Sequence, residues 1–156
     1  MKDLQEILIG VGAGFVIFIA LEKIFPSIFG FFDVLALVVI YFALQKGEIW
    51  GSILGTSCGL LQDTFSLGVF GVGGLSKTIM GFLTGYFSKK MDLTTPLRNF
   101  IFILILLCVN FFLWILLYSF IFSHSLDTRG GIIFLQPLCT ALFGNIVFTL
   151  IKKFKR

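Results

Sequence analysis

Four glycines, Gly47, Gly51, Gly55 and Gly59, recur at every fourth residue inside an apolar run. At about 3.6 residues per turn, that spacing draws a stripe without side chains down one face of a helix. In water the stripe is a burden, because each glycine is worse than alanine by roughly 1 kcal/mol in a helix interior. In lipid it lets a second helix approach backbone to backbone. The next apolar run carries Gly74, Thr78, Gly81 and Gly85 at matching helical offsets. The pattern predicts a tightly packed helix pair in the middle of the chain.

The rest of the sequence places that pair in a bilayer. Hydrophobic residues make up 58% of the chain and charged ones 13%, with a mean hydropathy of +1.05. Soluble domains carry about 25% charged residues. The 156 residues divide into six apolar runs, at 7–25, 28–44, 49–61, 69–87, 100–122 and 132–151. The expected fold is therefore all-α, a polytopic bundle of about six transmembrane helices forming one domain over 1–156, with no room for a soluble domain. The first run is too long for a signal core and lacks a cleavage-type ending, so it is expected to stay attached. With the N-terminus inside, Lys2, Lys46, Lys89, Lys90, Arg98, Lys152, Lys153, Lys155 and Arg156 fall on the cytoplasmic side, against Lys23 and Arg129 outside. That asymmetry puts both termini in the cytoplasm. The basic tail reads as a topology anchor at anionic lipid in preference to a partner-binding patch, and the net charge of +4 marks topology, not nucleic-acid binding.

Chemistry-bearing motifs are missing. Cys58, Cys108 and Cys139 are odd in number and scattered through apolar runs, which disfavours a disulfide framework or a metal site. His124 is the sole histidine and has no carboxylate or cysteine at ligand spacing. Neither a nucleophile elbow, a zinc-binding helix motif nor a phosphate-binding loop is present, and Gly71-Val72-Gly73-Gly74 lacks the Gly-Lys-Ser/Thr ending. An enzyme is not expected, nor is a cofactor. Asp63 with His124 is the weak residual candidate for an acid and base pair.

Three ionisable residues stand where lipid disfavours them. Asp33 falls five residues into the second run, Asp63 closes the third and Lys77 lies eight residues into the fourth. All three belong to the outer half of the bilayer. A charge near the bilayer centre costs at least about 2.5 kcal/mol, so Lys77 is expected to pair with Asp33 or Asp63. The competing reading has Lys77 snorkelling to the interface while each aspartate reaches water at a helix end. The third run is also short: its apolar stretch covers about 20 Å against a hydrocarbon core of about 30 Å. That marks 62–74 as the first choice for a functional region. In the last run Gln136, Thr140, Gly144 and Asn145 form a small and polar face suited to helix packing. The fifth run is apolar nearly all round and is expected at the periphery or against a partner's span.

The stretch Gly59-Leu60-Leu61-Gln62-Asp63-Thr64-Phe65-Ser66-Leu67-Gly68, with Gly71 and then Gly81-Phe82-Leu83-Thr84-Gly85-Tyr86, resembles the middle of the rod shape-determining protein MreD family. Gln136-Pro137-Leu138, Thr140 and Asn145 resemble its last helix, and the length, six runs and basic C-terminus agree over the whole chain. The resemblance implies a family-like turn at Gln62, Asp63, Phe65, Ser66 and Gly68. It also implies a non-enzymatic inner-membrane component of the cell-elongation machinery that makes lateral peptidoglycan. Its implied partners are MreC, the peptidoglycan polymerase and transpeptidase pair, and MreB filaments. Members are thought to share a fold with the substrate-binding subunits of energy-coupling-factor vitamin transporters, which supplies the alternative function. In such a subunit Asp33, Asp63, Lys77 and Gln136 would line an outer pocket, and Gly10, Gly12 and Gly14 would face a coupling protein.

Overall fold

In the computed structural model, residues 2–24, 32–65, 70–90, 95–121 and 135–154 are described. They form six helices and no strands: α1 Lys2–Ile24, α2 Val34–Lys46, α3 Glu48–Phe65, α4 Val72–Ser88, α5 Pro96–Ile121 and α6 Gln136–Phe154. The chain is all-α over these residues. Within α5, Leu97–Ile121 is long and apolar enough to cross a membrane. Shorter apolar stretches lie at Ile9–Ala20, Val34–Lys46 and Gln136–Leu150.

Helix ends differ from the hydropathy boundaries where local chemistry intervenes. α2 begins at Val34, because the Asp33 carboxylate accepts from Ala36 N at 3.1 Å and caps the helix. Asp33 is thus an N-cap and not a residue five positions inside a span. α3 continues through Gln62 and Asp63 to Phe65 and reaches about 27 Å. α4 starts after Gly71, whose φ of 100° is a left-handed conformation that glycine adopts without strain. Lys77 therefore lies five residues, or about 8 Å, from the start of α4, shallower than the apolar run suggested. α5 opens on Pro96, a residue whose fixed φ and missing N–H suit the first helical position.

Gly47 also departs from its expected place. It ends α2 with φ 93°, donating its N–H to Ala43 O, and its carbonyl accepts from Gly51 N at 3.0 Å to start α3. It is the turn between two helices, and the stripe proper is Gly51, Gly55 and Gly59.

α2 is the centre of the bundle. Leu35, Ala36, Val39, Ile40 and Ala43 have no exposed surface. Phe42 and Val38 meet Gly10 and Gly14 of α1, and Leu37 meets Gly144 of α6. Val39 and Ala43 lie over the α3–α4 pair beside Gly81 and Gly51. Tyr41 packs on Phe148 of α6 at 5.6 Å between ring centroids. α5 sits to one side with Phe102, Ile103, Leu106 and Leu107 turned into the core, while Ile101, Ile105, Phe112, Leu116 and Phe120 face outward.

Candidate functional site

The glycine faces of α3 and α4 meet. A Cβ added at Gly51 would strike the Gly81 carbonyl, at Gly55 the Lys77 carbonyl and at Gly59 the Gly73 carbonyl. In the reverse direction a Cβ at Gly81 would strike Gly51 O, and one at Gly85 the backbone at Glu48. Gly74 is closed less tightly, by the Leu60 side chain at 3.1 Å. Along this seam the helices touch through main chain, which has no rotamer with which to yield. Thr56 and Thr78 exchange a hydroxyl hydrogen bond of 2.7 Å on its outer side.

At one end of the seam the three ionisable residues are distributed between two tasks. Lys77 donates to Asp33 Oδ2 at 2.7 Å, and the two side chains are only 4% and 9% exposed. Asp33 N donates to Thr140 Oγ1 at 3.2 Å, and Thr140 in turn donates to Gln136 O. One aspartate thereby joins α2, α4 and α6. Asp63 is not part of this pair. Its Oδ2 accepts from Gly71 N at 2.9 Å and Gly74 N at 3.2 Å, so the end of α3 caps the start of α4. The carboxylate satisfies orphan N–H groups and complements the positive end of the helix. It also explains Gly73, where a Cβ would run into the Asp63 carboxylate.

The other residues of the family-like turn divide. Phe65 reaches back to α1, edge-on to Phe15 at 5.5 Å and Phe18 at 6.3 Å. Gln62 Oε1 is buried and has no hydrogen-bond partner among the described residues. Ser66 and Gly68 lie outside the described residues, as does His124.

At the opposite end, Lys89 bridges to Glu48 with Nζ 3.0 Å from Oε1 and 2.8 Å from Oε2. The ammonium's hydrogen bond holds the Glu48 carboxyl below its ordinary range, helped by a backbone hydrogen bond. Lys90 donates to Tyr86 and stands 4.4 Å from the centre of its ring.

Two asparagines on α5 escaped the sequence reading. Asn99 and Asn110 are 3% and 8% exposed and share the inward stripe with Phe102, Ile103, Leu106 and Leu107. Asn99 Nδ2 lies 3.5 Å from Asn145 Oδ1 on α6, while Asn110 Oδ1 has no partner among the described residues. Their separation of three helical turns in an otherwise apolar helix is the signal that would have marked them.

These groups are built for holding helices together. The buried carboxylates are committed to an ammonium or to backbone N–H groups. Compared with known proteins, the chain matches no family model, no curated protein and no solved structure.

Proposed function

We propose that this chain crosses a bacterial inner membrane six times, with both termini cytoplasmic, and acts there as a non-enzymatic scaffold of the cell-elongation complex. The observation that carries the membrane placement is an inside-out distribution of polarity. Ile9, Val16, Ile49, Phe70, Phe112, Phe120 and Ile146 are each at least half exposed, whereas Asp33, Lys77, Ser76, Thr84, Asn99 and Thr140 are buried. A soluble monomer rarely leaves so many large apolar side chains open to water while burying its polar ones. Hydrocarbon reverses the preference and drives polar groups toward one another.

The scaffold role rests on the resemblance to the MreD family and on how the motif residues are used. Gln62-Asp63 sits where the third helix hands over to the fourth, and Asp63 ties the two ends together. The helix faces exposed in the membrane plane offer the surface for MreC and for the polymerase and transpeptidase pair, and the basic inner end faces MreB filaments. The transporter-subunit reading has less support. Asp33 and Lys77 neutralise each other, Asp63 caps α4, and Gly10 and Gly14 are covered by Phe42 and Val38 of α2. Of the three α1 glycines only Gly12 faces away from the bundle, where an added Cβ would meet nothing within 4 Å.

Deleting the gene in its own host tests this reading by microscopy. Rounded or widened cells, restored by the wild-type chain but not by Gly55→Leu, are the expected result, together with co-purification of MreC. Rods of normal width and no MreC in the pull-down would refute the scaffold role.

A further inference from the structure

We draw no further inference here: the strongest candidate, the apolar groove between α4 and α5 lined by Leu83, Phe87, Phe102, Leu106 and Val109, carries none because nothing in the structure shows what covers it.

Discussion

The α3–α4 seam and the collar of contacts around α2 use the same residue type for opposite ends. In the seam, Gly51, Gly55 and Gly59 meet carbonyl groups of α4, atoms fixed by helical hydrogen bonds. Around α2, Gly10, Gly14 and Gly144 meet the side chains of Phe42, Val38 and Leu37. A backbone neighbour moves only if a whole helix moves, whereas a side chain has other rotamers. The seam is therefore the rigid unit and the collar an adjustable packing, while Asp33 ties α2 to α4 through Lys77 and to α6 through Thr140.

The sharpest way to break this contrast is to load the seam. Gly55→Leu should prevent recovery of a folded, monodisperse chain, and even Gly55→Ala should destabilise by roughly 1–3 kcal/mol, as overpacking does. Wild-type thermal melting of Gly55→Ala in detergent would remove the distinction.

Next comes the ion pair. Lys77→Ala strands the Asp33 carboxylate in the core and should cost about 3–5 kcal/mol, while Asp33→Leu with Lys77→Met should restore most of the loss. Strictly additive losses in a double-mutant cycle would deny the pair. Asp63→Ala removes only the cap on α4, with an expected loss of about 0.5–2 kcal/mol. Combined with Lys77→Ala it should be additive, since Asp63 and Lys77 bind different partners.

Smaller effects separate the faces of α1. Gly14→Ala meets Val38 and should be mildly destabilising, and Gly12→Ala meets nothing and should be neutral or stabilising by up to about 1 kcal/mol. A reversed order, measured by thermal melts, would mean α1 is rotated. The smallest effect belongs to Glu48 and Lys89 at the exposed end. Because the folded Glu48 carboxyl titrates below its ordinary value of 4.5, its contribution is present above that pH and fades as pH falls through the folded value. Glu48→Gln should flatten that part of the stability profile, and an unchanged acid limb would show that the bridge contributes nothing.

Six helices and the facing glycine stripes were legible in the residues themselves, because hydropathy and a four-residue period are local properties of a helix. Partner choice was not. Asp33 and Asp63 were equal candidates for Lys77 until the turn at Gly71 brought the N-terminus of α4 onto Asp63 and left Lys77 facing α2. Gly47 carried the period of the stripe but stands outside the helix, since a cap and a helical position share the same spacing.

The contrast between α2 and α5 shows where local pattern ends. Both are predominantly apolar, yet α2 is enclosed and α5 exposes Ile101, Ile105 and Phe120. In water, burial would separate them by hydrophobicity; in the proposed membrane placement an apolar face gains little from either neighbour, so hydrophobicity does not rank them. What decides is the close fit of glycine to side chain and the single aspartate at the start of α2, which reaches α4 and α6 together. The sequence alone determined that these segments are helical and which faces are smooth. Only the tertiary structure decided which helix is central, because rotation and depth are relations between helices, set by contacts that no single segment contains.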